Sequence, residues 1–368
     1  MTEFHSSLPD PRQYTPVAPK NELIRLTLAV QDAANSDDRA LWHSELATAL
    51  TGYLERNELL PLSVALAMLP SQEAYRTLWQ ALREVVECNP NGPTTLPFAL
   101  PLVLVAGSRQ KTTLAGELSN IDEINALLRE HGVFAAGCDA ALGAKLIHPD
   151  TLAGINSSRL YYLAQDGAGL ARTLDQLPAA PVELNGEGVF LRYLVGQVTV
   201  AEGAEPPVRF GSAVNSWGLP VMKLLNAALD QDGVTLFPIA RAPQPVMQAM
   251  VAGGVARQDV ALEVFASAQI RALRELGKEP VAIVSAHENG ELRFTVSTPG
   301  DERNWKGFVW PLSPLDSVER IVANFRELMA DCQVNDVRLL PEVAADKAGD
   351  IPLFFTADDL PPVDAVRQ

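Results

Sequence analysis

The stretch LPLVLVAGSRQKTTLAGEL, residues 100–118, decides how the chain is read. Leu100 to Ala106 is a nearly unbroken run of leucine and valine. With no polar alternation, such a run suits a strand covered on both faces, as in a parallel sheet. Gly107 ends it, and Ser108 to Thr113 read as a polar turn before a helix. Basic residues between a strand and a helix start raise the question of a phosphate loop. That loop needs two glycines four residues apart, with Lys and then Ser or Thr directly after the second. Here Ser108, Arg109, Gln110 and Lys111 follow Gly107, so glutamine stands where a second glycine is needed and the loop is two residues short. The pattern excludes a triphosphate cradle and leaves Arg109, Lys111 and Thr112 as candidates for holding a single anion.

Reading onward, Asn120 and Glu123 have the spacing of a capping box. Ile121, Ile124, Leu127 and Leu128 then fall on one helical face. Gly132 suits the left-handed position past a helix end, and VFAAG (133–137) begins a new apolar run. The expectation is a strand–helix–strand unit with a right-handed crossover, within an α/β unit over residues 96–177.

Upstream, residues 1–19 are rich in proline and read as a flexible arm. Residues 20–88 read as helical. Ser36 precedes Asp37 and Asp38 as a cap, and Trp42, Leu46, Ala49, Leu50 and Tyr53 form a stripe. Ser71 caps a second helix with Tyr75, Leu78, Trp79, Leu82 and Val85 inward. CNPNGPTTLP (88–97) breaks the pattern.

Downstream, an α+β domain is expected over 183–341, after the break at 177–188. VFLRYLVGQVTV (189–200) reads as strand, and Asp259 as the cap of a helix running to Gly277. VAIVSAHENGELRFTVS (281–297) reads as an antiparallel hairpin with Asn289-Gly290 in a type I′ turn. That turn pairs His287 with Leu292, Ser285 with Phe294 and Ile283 with Val296. GFVWPL (307–312) supplies a third strand, and Ser313 to Asp316 start a helix whose stripe is Val318, Ile321, Val322, Phe325 and Met329. VAG recurs at 105–107 and 251–253, each ahead of a helix-like segment, which raises the possibility of a duplicated unit. The fold class is therefore mixed α/β: an N-terminal helical region, a central strand–helix–strand unit and a C-terminal α+β part with an antiparallel hairpin.

The chain has 368 residues, enough for two or three domains, and a formal charge of −16 with no basic run. Such a balance argues against nucleic acid, which requires clustered Lys and Arg. The longest apolar run, Leu96 to Gly107, is well short of the roughly 20 residues that span a membrane, so no membrane insertion is expected. Cys88, Cys138 and Cys332 are odd in number and far apart, which fits a reducing, cytoplasmic setting. None of the five histidines lies close to another, so neither a metal site nor a cofactor is expected.

GCDAALGAKLIHPD (137–150) is the most enzyme-like constellation. Cys138 is a candidate nucleophile and His148 the base to activate it, with Asp150 close by. Its small neighbours Ala135, Ala136, Ala140 and Ala141 argue instead for a buried, inert thiol. The tail, 342–368, has six acids and two bases. Inside it, Ile351, Leu353, Phe354 and Phe355 are too apolar for a free end. They dock on their own domain, or they enter a partner's groove with Asp358 and Asp359 steering. Two function classes emerge. One is a cytoplasmic adaptor or scaffold component that binds another protein. The alternative is a hydrolase or transferase acting on a small anionic substrate through Arg109 and Lys111, or through Cys138 and His148. Oligomeric state is left open.

Overall fold

The computed structural model describes residues 21–87, 94–301, 303–340 and 354–360. The chain forms two compact units, with the boundary between Arg257 and Gln258.

The first unit begins with four helices: α1 (Glu22–Asp32), α2 (Ser36–Glu55), α3 (Leu59–Met68) and α4 (Gln72–Glu87). Their shared core contains Leu23, Ile24, Leu46, Leu50, Leu54, Leu78 and Leu82. Asn35 caps α2, one residue before the expected Ser36, and accepts from the amides of Asp37 and Asp38. Ser71 takes its expected part and accepts from the Ala74 amide at 3.1 Å.

A sheet follows, built from β1 (Thr94–Leu114), β2 (Ala141–Ile147), β3 (Val182–Val200), β4 (Val234–Ala240) and β5 (Gln244–Pro245). Between β1 and β2 lies α5 (Ile121–Glu130). Between β2 and β3 come α6 (Pro149–Ala153), α7 (Ser157–Gln165) and α8 (Gly167–Gln176), and α9 (Gly218–Leu229) precedes β4. The strand order is β2-β3-β1-β4, with β5 also on β1.

Every pairing in this sheet is antiparallel. The sequence order strand–helix–strand holds as β1, α5 and β2; both strands run antiparallel to β3, which lies between them, so they are parallel to each other without being hydrogen-bonded neighbours. The apolar run at 100–106 has another cause. Leu96, Phe98, Leu100, Leu102 and Leu104 meet α5 and α9 on one face. On the other, Tyr193, opposite Pro101, donates to the Met250 carbonyl. Two-sided burial makes a strand continuously apolar whichever way its neighbours run. The expected turn at 107–113 is also strand, since β1 pairs with β4 through Ser108 and with β3 through Leu114. The sheet thus unites residues on both sides of the break expected at 177–188.

VFAAG is no regular strand; Phe134 makes one isolated bridge, to Val208. Asn120 forms no capping bond and instead donates to the Leu224 carbonyl at 2.9 Å. VAG 251–253 lies within a helix, α10 (Val246–Glu275), whereas VAG 105–107 lies in β1, so the two are not copies of one unit.

The second unit contains β6 (Val281–His287), β7 (Glu291–Ser297), β8 (Lys306–Pro311), α11 (Val318–Asp331) and β9 (Val337–Leu339). The sheet order is β8-β7-β6-β9, with β9 parallel to β6. Its inner face, Ala282, Val284, Leu292, Phe294, Val296 and Trp310, packs on Leu262, Ala266 and Ile270 of α10 and on Ile321 and Phe325 of α11.

The hairpin forms with a register one residue from the expected one: His287 pairs with Glu291, Ser285 with Arg293 and Ile283 with Thr295. Three residues make the turn, and Gly290 takes a φ of +77°, closing it with a bond from its amide to the His287 carbonyl. The reason is facial segregation. This register puts Phe294 beside Val284, whereas the two-residue turn would have set it against Ser285. Two helix starts also differ. Asp259 lies inside α10 and pairs with Arg320 at 3.3 Å. Ser317, not Ser313, caps α11, while Asp316 accepts from the Ser313 amide in a preceding turn.

Candidate interaction surfaces

The anion candidates sit on a strand. The β1–β3 register shifts between Ser108 and Thr112, so residues 109–111 bulge opposite Asn185. Arg109 and Lys111 are exposed there. The Thr112 hydroxyl accepts from the Gln231 side chain at 2.9 Å. With no helix start behind them, these residues lack the row of convergent amides that a phosphate site uses.

Cys138 and His148 stand on either side of the seven-residue β2. At ~3.3 Å per residue the strand itself spans about 20 Å, and the two residues lie beyond its opposite ends. Cys138 is half-buried, rather than buried as its small neighbours suggested, and its sulfur lies 3.9 Å from the Pro207 carbonyl. His148 caps α6: its Nδ1 accepts from the Asp150 amide at 3.2 Å, and the Asp150 carboxylate is 3.5 Å from the same nitrogen. The lone pair a general base needs is directed at the helix. Asp139 serves structure as well, accepting from the amide and hydroxyl of Thr199, bonds that hold its carboxyl below the usual range.

Of the tail residues, Ile351 and Leu353 lie outside the described residues. Phe354 and Phe355 are half-buried on the outer face of the second unit's sheet. Phe354 packs against Trp305, and Phe355 joins Val281 and Ile283. Asp358 accepts from the Gly300 amide at 2.8 Å, and Asp359 from the Thr356 amide at 2.6 Å.

A different surface stands out in the first unit. α3 reads LLPLSVALAM and carries no charge. A helix apolar on all sides is normally enclosed. Here only Leu62 and Ala65 are buried, while Leu60 is 75% exposed, Met68 46% and Val64 38%. At 100° per residue, Leu60, Val64 and Met68 make one outward stripe, and Ser63 and Ala67 join it to the next face. That face opens on a groove of about 310 Å³ lined by Leu62, Leu66, Trp79, Leu82, Met247 and Met250. The groove therefore draws on α3, α4, the junction of α6 and α7, and the first turns of α10. None of α3 was singled out in the sequence, although the fourteen residues without a charge between Glu58 and Glu73 are the signal that marks it.

Beside the groove, Glu87 holds up α10. The first amides of a helix have no partners within it, and Pro245 cannot serve as a side-chain cap for α10. Glu87, from the end of α4, accepts from the Met247 amide at 2.6 Å. The carboxyl is 5% exposed and its Oε2 has no hydrogen-bond partner. Burial pushes its pKa up to about 7, against the downward pull of the α10 amides and of Arg83.

Among the described residues no three His, Cys, Asp or Glu side chains gather as a metal site, and no helix is long and apolar enough to cross a membrane. Comparison with protein-family models, with curated proteins and with solved structures finds no match.

Proposed function

We propose that this chain is a protein-binding adaptor whose docking face is α3 and the groove beside it. The observation that carries this reading is the uncharged α3 with Leu60, Val64 and Met68 in solvent. Leaving three large apolar side chains in register on one helix face is unfavourable for an isolated chain and marks an interaction site. Its shape suits a partner helix laid along the groove, with apolar anchors at helical spacing.

Charge narrows the partner. Residues 21–87 hold ten carboxylates against five arginines, so an apolar face lies within an acidic surround. A second copy of the chain would bring −16 against −16. The face is matched instead by an amphipathic segment with aliphatic or aromatic anchors and flanking Lys or Arg. The free thiols of Cys138 and Cys332 support a cytoplasmic setting for this role.

The test uses the tagged full chain and a Val64→Glu, Met68→Glu variant as baits in lysate of the host. The expected result is a stoichiometric partner held by the wild type, absent from the variant, and released as salt rises and screens the charged rim. Identical proteins on both baits, or a wild-type dimer that the variant makes monomeric, would overturn the reading.

A further inference from the structure

We propose that Met68 is a redox-sensitive modification site: oxidation of its thioether to the sulfoxide by a peroxide makes the α3 stripe polar and releases the docked partner. This inference rests on the docking reading of α3 and adds its control.

The methionines are unevenly placed. The chain has six, and five lie in the described residues. Three of the five belong to the docking face. Met68 closes the outward stripe at the end of α3, and Met247 and Met250 line the groove from α10. A thioether side chain is unbranched and polarisable, so it adapts to apolar anchors of varied shape. It is also the flexible apolar side chain that a mild oxidant converts into a polar one. Leucine or isoleucine would supply similar apolar area without that property.

Exposure sets the order of reaction. Met68 is 46% exposed, whereas Met247 is 9% and Met329 0%; Met222 and Met250 are half-buried. A peroxide therefore meets Met68 first. The sulfur lone pair attacks one peroxide oxygen, and an S–O bond forms as the O–O bond breaks. The departing hydroxide takes the proton of the transferred hydroxyl and leaves as water. The thioether loses two electrons and the peroxide gains them. Reversal needs a dithiol, the reductant of methionine sulfoxide reductases: the sulfoxide oxygen leaves as water and the dithiol becomes a disulfide.

The fold has little to lose at Met68, because the side chain stands largely in water. Docking has more to lose. The sulfoxide oxygen is a strong acceptor, and α3 carries no charged side chain to meet it. Seated against a partner's apolar anchors, that oxygen gives up water without gaining a bond. Such a penalty corresponds to about tenfold or more in affinity. A docked partner covers Met68 in turn, so the chain is sensitive while it is free.

The probe is a fluorescent amphipathic peptide of about 14 residues, with leucine at i, i+3 and i+4 spacing and lysine elsewhere. Its binding to the full-length protein is followed by anisotropy before and after graded hydrogen peroxide, with peptide mapping by mass spectrometry for each methionine. The Val64→Glu, Met68→Glu variant sets the level of non-specific binding. Met68 should be oxidised at least about tenfold faster than Met247 or Met329, and more slowly under saturating peptide. Affinity should fall about tenfold in step with the Met68 sulfoxide and return after a sulfoxide reductase with dithiothreitol, at unchanged melting temperature. Met68→Leu, compared only with itself, should shift by less than about twofold under the same treatment, which separates Met68 from Cys138 and Cys332. Equal oxidation of all methionines, or a loss that persists in Met68→Leu, overturns the inference. Selective oxidation with undiminished binding overturns it too, and leaves the docking reading standing. A peptide that never binds the reduced wild type above the variant level marks failure of the docking reading itself, and this inference falls with it.

Discussion

Glu87→Gln should stabilise the protein at pH 8 and leave it nearly unchanged near pH 4.5. The carboxyl titrates at about 4.5 when solvated and at about 7 in place. An acid whose folded pKa is raised binds its proton more tightly in the folded state. Its contribution is thus fully present below pH 4.5 and is lost as pH rises through 7. A shift of this size corresponds to about 3 kcal/mol between the protonated and ionised forms. Gln carries no charge at any pH, and its amide oxygen can still accept from the Met247 amide at the start of α10. The difference between the two proteins should therefore be near zero at pH 4.5, grow through pH 5–7 and level off at about 3 kcal/mol by pH 8. Urea titrations of both proteins across that range measure it, with all other groups cancelling in the comparison. Parallel stability curves, or a wild type that gains on the variant as pH rises, would refute the reasoning.

Further consequences are as direct. Val64→Glu should change unfolding free energy by no more than about 0.5 kcal/mol, because its site is already exposed, so loss of a partner cannot be ascribed to loss of fold. Phe98→Ala should cost about 3–5 kcal/mol in thermal or urea unfolding; its ring is fully buried, with Phe134 at 5.7 Å and Phe210 at 6.2 Å. Arg338→Ala removes two bonds to residues 354–360, and limited proteolysis should then cut that segment at least tenfold faster. Asp139→Asn should remove an acid-side loss of stability, since a lowered carboxyl contributes above its solvated pKa of 3.8 and ceases to as pH falls through the folded one.

What was legible in the sequence is what local periodicity encodes. The stripe Ile321, Val322, Phe325 and Met329 is buried as read, and the strand at 189–200 forms. Partner choice between strands was not legible. Leu100 to Ala106 is apolar because both faces are covered, and that property is shared by parallel and antiparallel sheets. The hairpin shows the same limit at finer scale. Asn289-Gly290 marked the turn, but whether two or three residues close it was decided by which face Phe294 had to reach. Helix starts slipped where a cap came from elsewhere: α10 begins at Val246 on a carboxylate 160 residues away in sequence. The site candidates suffered from reading proximity along the chain as proximity in space. Cys138 and His148 are ten residues apart, yet a strand separates them. The exposure of Leu60, Val64 and Met68 had no local signature beyond the missing charges, since the same letters in a covered helix would be core.

Site-directed photocrosslinking tests the docking face most directly. A photoreactive phenylalanine analogue would be placed singly at positions 60, 64 and 68 of the full chain, and at exposed Glu130 of α5 as control, and irradiated in cells. The adaptor reading predicts one shared adduct from the three α3 positions, absent at 130, with a partner segment rich in Lys or Arg around its apolar anchors. Adducts only between copies of this chain, or the same yield at 130 as at 64, would contradict it.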